Sequence, residues 1–147
     1  MTNRELLELA ARAAGISGQY VQEHFAYGDE WIEGIDTGAT IYWSPLADDG
    51  DALRLAVKLK LLVGVHLDET WAQSYGTEDG KWLTCKEPHA NSPDAATRRA
   101  IVRAAAEIGR SLSPCVTDWD VAQATEQHEP ERGIDYRFLG VTGMEDE

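Results

Sequence analysis

Apolar residues recur every three or four positions in three stretches of the chain, the spacing that places them on one face of an α-helix. The first such stretch predicts a helix over residues 4–14, after a capping box formed by Thr2 and Glu5. Gly15 supplies the left-handed residue at which this helix ends. The positions that share its apolar face are Leu6, Leu9, Ala10 and Ala13.

Two further helices carry the same periodicity. One is predicted over residues 49–60, with aspartates at its start and lysines in its last turn, as the helix dipole favours. The other follows Ser92-Pro93-Asp94, a strong helix start, and runs to Arg110. Its apolar face is formed by Ile101, Ala104, Ala105 and Ile108.

Short strands are predicted between the helices. Residues 17–38 mix aromatic residues with glycines, which is typical of short strands joined by turns. Residues 40–43 predict a strand that stops at Ser44-Pro45, because proline lacks the N–H that a strand ladder needs.

A hairpin is predicted later in the chain. Residues 61–68 form its first strand, with Trp71 and Tyr75 as candidates to lengthen it, and residues 81–86 form its partner. Asp79-Gly80 between them favours a tight turn.

These elements predict an α+β fold: about three helices and a small, mainly antiparallel sheet in a three-layer α/β/α arrangement. The length of 147 residues suits one domain. Residues 1–112 are expected to form its body. Residues 113–147 are expected to form an acidic C-terminal appendage, partly ordered against the body.

The chain is strongly acidic, with 13 Lys and Arg against 26 Asp and Glu and a formal net charge of -13. This charge argues against direct binding of nucleic acid or of anionic membranes, and favours a partner with a basic surface. No apolar run is long enough to span a membrane and no signal peptide is apparent. The two cysteines, Cys85 and Cys115, suit a reducing compartment, so a soluble cytoplasmic protein is expected.

Three segments together resemble a known family. They are the step Trp43-Ser44-Pro45-Leu46, the helical run at residues 48–59 and the Ala-rich run at residues 96–109. Their order is similar to that of the phage ABA-sandwich domain, small proteins of tailed phages and prophages, from Thr2 to Leu112. The resemblance implies a phage or prophage origin, hence the cytoplasm of a bacterial host, and a three-layer α/β/α arrangement. The family offers no agreed activity and no catalytic motif to transfer.

The candidate partner-binding residues are an aromatic anchor with its acidic surroundings and the acidic appendage. Nine carboxylates face two arginines after Pro114. They predict a non-enzymatic phage accessory protein that binds a host protein through a negative surface, as an inhibitor or nucleic-acid mimic directed at a defence system (anti-CRISPR-like) or a nucleic-acid-handling protein. A solvated acidic surface that merely improves solubility is the alternative. The candidates are Asp29, Glu30, Trp31, Glu33, Asp118, Trp119, Asp120, Glu126, Glu129 and Glu131.

Two other functions stay open at this point. His66 and Asp68 would share one face of a strand, so a small-ligand or metal-dependent enzyme that uses them, with Cys85, is the alternative hypothesis. The third helix carries the only basic concentration, which would have to form one exposed patch to bind nucleic acid: Arg98, Arg99, Arg103 and Arg110. No catalytic residue, metal or cofactor is predicted.

Overall fold

Three helices form close to where the apolar periodicity predicts them, in a computed structural model that describes residues 1–24, 31–75 and 80–112. Each helix begins at a side chain that accepts a hydrogen bond from the backbone N–H three residues further on: Thr2, Asp48 and Ser92. The second helix ends two residues earlier than predicted, because Lys60 adopts a left-handed φ of 55°. The helices are α1 (Asn3–Ala14), α2 (Asp49–Lys58) and α3 (Pro93–Ser111).

Five strands in the described residues form two antiparallel sheets. The first sheet is a hairpin of β1 (Gln19–His24) and β2 (Trp31–Asp36), as the aromatic and glycine pattern predicts. The second has the order β3-β4-β5, and its strands are β3 (Leu62–Val65), β4 (Glu69–Tyr75) and β5 (Trp82–Pro88).

The predicted pairing in the second sheet is wrong. Residues 61–68 do not pair with residues 81–86, because β4 lies between them and pairs with both. Trp71 and Tyr75 therefore belong to a strand of their own. The chain turns between β3 and β4 where the His66 N–H donates to the Glu69 carbonyl.

The strand predicted over residues 40–43 is also wrong. Only Trp43 pairs, through a single bridge to Ile35, and the residues before it form bends. Gly34 allows this crossing, since a Cβ on Gly34 would lie 2.8 Å from the Trp43 carbonyl oxygen.

The helices pack mainly on each other and on one face of the second sheet. α3 contacts β4, β5, α1 and α2, while α1 also contacts the β1–β2 hairpin. Hence the class is α+β, but the three-layer α/β/α arrangement is not confirmed. The buried core lies between the helices and includes Leu6, Leu55, Ile101 and Val102.

The boundary between body and appendage falls where the described part of the chain ends. Met1–Leu112 forms one compact unit. The predicted acidic appendage, residues 113–147, lies outside the described residues. None of the described helices has the length and apolar character needed to cross a membrane.

Candidate functional site

Trp31 opens β2 on the surface of the protein. Its side chain is 63% exposed, and its ring lies 4.9 Å from that of His24, the residue opposite it on β1. A large aromatic side chain held at one end and open to solvent has the form of a binding anchor.

An open cleft of about 1040 Å³ lies beside this tryptophan, and we call it the Trp31 cleft. Its lining is largely apolar, and Ile41 is 81% exposed at its edge. The larger apolar residues of the lining are Ile16, Trp31, Ile32, Ile41, Trp43 and Leu46.

Hydrogen bonds hold Trp43 and Ser44, which line the cleft, against β2. Ile35 and Trp43 exchange N–H···O hydrogen bonds of 2.8 and 3.0 Å. The buried Ser44 Oγ then donates to the Glu33 carbonyl at 2.7 Å, and the Ser44 N–H donates to Asp51 Oδ2 at 2.9 Å. Trp43 and Ser44 therefore join β2 to the start of α2.

Most of the charged residues in the described lining of the cleft are carboxylates. Glu33, Asp48 and Asp51 line it, and Arg54, the one cation among the described lining residues, is paired with Asp51 at 2.7 Å. The hydrogen bond from Arg54 to Asp51 raises the pKa of this guanidinium. The field of the cleft is thus negative, which favours a cationic ligand group.

A second hollow continues this acidic surface. It is lined by Glu23 and Asp36 and shares Ile32, Ile41 and Tyr42 with the Trp31 cleft. The hydrogen bond between Tyr42 and Glu23 raises the pKa of the Tyr42 hydroxyl.

Glu33 is held within the fold. The Tyr20 hydroxyl donates to Glu33 Oε2 at 3.1 Å, and burial, followed by this hydrogen bond, raises the pKa of Tyr20. The Glu33 carboxylate therefore contributes negative charge to the cleft from a fixed position.

The structure brings Trp31 and Glu33 together, and the other predicted partner-binding residues lie outside the described part of the chain. It adds residues that the sequence did not single out, chiefly Ile41 and Asp51. Ile41 was assigned to a strand that does not form, and Asp51 to the capping of a helix. The candidates outside the described residues are Asp29, Glu30, Asp118, Trp119, Asp120, Glu126, Glu129 and Glu131.

The basic residues of α3 pair with carboxylates of the fold. Arg98 contacts Asp49, Arg99 and Arg103 both contact Glu87, and Arg110 contacts Glu107. The hydrogen bond to Glu87 raises the pKa of Arg103. These pairs neutralise much of the positive field that a phosphate backbone would require.

The residues of the enzyme hypothesis are only partly brought together. His66 and Asp68 line a small hollow at the β3–β4 turn, but Cys85 lies on the opposite face of the sheet, paired with Ala72 and buried under α3. Burial raises the pKa of the Cys85 thiol, which opposes formation of a thiolate nucleophile. Within the described ranges, no three His, Cys, Asp or Glu side chains lie close enough to hold a metal ion.

No family model, curated protein or solved structure matches this chain.

Proposed function

We propose that this protein is a non-enzymatic binding protein whose partner presents a basic segment to the Trp31 cleft. The observation that carries the proposal is an exposed tryptophan beside a largely apolar cleft, whose described lining includes three carboxylates and one arginine among its charged residues.

Such a cleft suits a peptide segment with an apolar side chain next to a lysine or arginine. The apolar group would pack against Trp31 and Ile41, where both have surface left to bury. The cation would meet Asp48, whose side chain is exposed at the α2 end of the cleft, because the Asp51 carboxylate is already bound by Arg54 and the Ser44 N–H. Charge complementarity of this kind speeds association and excludes partners of the wrong sign.

The class of partner follows from the charge of the whole chain and from the resemblance to phage proteins. A protein that handles nucleic acid carries a basic groove, and a net charge of -13 favours approach to it. A host defence or nucleic-acid-handling protein is therefore the proposed target, and inhibition or mimicry the proposed effect. The ion pairs of α3 support a protein partner over nucleic acid.

The experiment is affinity capture from bacterial lysate with the full chain, Trp31→Ala and Trp82→Ala, followed by mass spectrometry. Trp82 is a matched control because its side chain is 52% exposed on β5, away from the cleft. We expect the wild type and Trp82→Ala to retain the same basic protein at low salt and to release it at high salt. Trp31→Ala should retain at least tenfold less.

Two results would refute the proposal. One is the absence of any stoichiometric partner at low salt. The other is equal retention by Trp31→Ala and the wild type, which would place binding elsewhere on the chain. A partner retained unchanged at high salt would remove the electrostatic part.

A further inference from the structure

β3 is an edge strand without the features that usually protect such an edge. Within the described residues only β4 pairs with it, and all four of its residues are apolar or glycine. Proteins normally guard free edges with charged residues, proline or bulges. The opposite edge strand, β5, follows that rule with Lys86 and Pro88.

The free hydrogen-bonding groups of β3 can be assigned from its register. His66 and Glu69 form a hydrogen-bonded pair at the turn, so alternate residues of β3 direct their N–H and C=O groups toward β4. The residues between them, Val63 and Val65, direct theirs to the open edge. Four backbone groups are thus aligned to accept another strand.

The side chains at this edge are also uncovered. Val63 and Val65 lie on the same face as Ala72 and Thr70, the face on which α3 packs. α3 packs chiefly on β4 and β5, and Val65 on β3 remains 62% exposed. A strand added at this edge would bring more apolar side chains beside these two valines.

We propose that the strand added to β3 is β3 of a second copy, in an antiparallel two-fold pairing that joins the two three-stranded sheets into one sheet of six strands. A two-fold interface requires a self-complementary surface. In this register Val63 of each copy lies opposite Val65 of the other, and Gly64 lies opposite Gly64. The free N–H and C=O groups of Val63 and Val65 in both copies then form hydrogen bonds with each other.

Charge complementarity selects this partner and this direction. Lys60 and Asp68 each lie four residues from Gly64, on opposite sides, and neither forms an ion pair with the described residues. The antiparallel register brings Lys60 of one copy to the end of the strand where the other copy has Asp68. A parallel pairing would bring like charges together.

The first test is sedimentation equilibrium of the full chain over a range of concentrations. We expect a species of twice the 16.2 kDa chain mass that dissociates on dilution. Val65→Lys should weaken association at least tenfold by placing a charge on the open edge. Val57→Lys is the matched control, because Val57 is 69% exposed on α2 and should leave association unchanged.

Cysteine cross-linking tests the register. The test variant carries Leu62→Cys and His66→Cys together in a Cys115→Ser background. In the proposed dimer, position 62 of one copy lies opposite position 66 of the other, at a separation that a disulfide can bridge. Within one chain these positions are about 13 Å apart along the strand and cannot join. We expect a covalent dimer from the double variant and none from Leu62→Cys alone.

The proposal is overturned by a chain that stays monomeric at every concentration, by a dimer that Val65→Lys does not weaken, or by equal weakening in Val57→Lys. Slow hydrogen exchange of the Val63 and Val65 amides in a monomer would also overturn it, because another segment of the same chain would then occupy the edge.

Discussion

The contact between α1 and α3 depends on one residue without a side chain. A Cβ on Gly109 would lie 2.0 Å from the Leu9 carbonyl oxygen, a backbone atom that cannot move away cheaply. The helices can therefore approach each other this closely only because residue 109 is glycine.

Gly109→Ala should destabilise the fold although alanine is the better helix former. The propensity gain is about 1 kcal/mol, whereas overpacking in a core costs about 1–3 kcal/mol and a clash with backbone lies at the upper end. Urea denaturation measures the difference. Gly50→Ala in α2 is the control, since its Cβ would meet only the ends of the Asp48 and Arg54 side chains. A Gly109→Ala protein as stable as the wild type would mean that α1 and α3 are further apart.

A buried hydroxyl joins β4 to α3. Thr70 is fully buried, and its Oγ1 lies 2.8 Å from His89 Nε2 and 3.0 Å from Thr97 Oγ1. Thr97 also donates to the Pro93 carbonyl, so a hydrogen-bonded chain runs from the end of β5 into the first turn of α3.

Thr70→Val should lower the free energy of unfolding by about 1–3 kcal/mol, because it leaves partly buried polar atoms of His89 and Thr97 without their shared partner. Thr84→Val provides the control on the exposed face of β5. Thermal and urea unfolding of both variants test this expectation. Equal stability of Thr70→Val and the wild type would show that the hydroxyl contributes nothing net.

Whole helices were predictable because their ends carry local chemistry. Thr2, Asp48 and Ser92 satisfy free N–H groups at the helix starts, and this requirement is visible in the sequence. The boundary between β3 and β4 could not be predicted in this way. The turn at Leu67 and Asp68 contains no glycine or proline, so the two strands look like one continuous run in the sequence. The single bridge of Trp43 depends on the close approach of Gly34, a tertiary contact that no local pattern shows.

The capping box of α1 should give its stability a defined pH dependence. The hydrogen bond from the Thr2 backbone N–H is the largest cause that lowers the pKa of Glu5 below its ordinary 4.5. Because the pKa is lower in the folded state, the carboxylate stabilises the fold fully at pH values above its pKa in the unfolded chain. This contribution is lost as the pH falls through its pKa in the folded protein. The stability difference between wild type and Glu5→Gln, measured by urea denaturation from pH 7 to pH 3, should therefore shrink toward acid. A constant difference would contradict the capping role.

At the scale of the molecule, the acidic charge is unevenly distributed along the chain. The described residues carry 11 Lys and Arg against 13 Asp and Glu, so only two of the 13 net negative charges belong to them. The described residues are therefore nearly neutral, and at least seven of their eleven Lys and Arg residues form ion pairs. Residues 25–30 and 76–79 carry four of the net negative charges, and residues 113–147 carry seven. The sequence shows the charge excess, on which the expectation of a basic partner rests, because that excess is compositional. It does not show the Trp31 cleft, because the cleft needs β2, residues 41–46 and α2 to come together.

Substitutions in the acidic C-terminal segment and in the Trp31 cleft should change the salt dependence of binding differently. Reversing four carboxylates of the C-terminal segment, Asp118, Asp120, Glu129 and Glu131, to lysine removes long-range attraction to a basic partner. We expect the affinity to fall at low salt and the dependence on salt to flatten, because screening then has less attraction to remove. Trp31→Ala should instead weaken binding by a similar factor at low and high salt, since it removes apolar contact. Titration of the captured partner at two ionic strengths separates the two effects. Unchanged affinity in the charge-reversed chain would confine recognition to the Trp31 cleft.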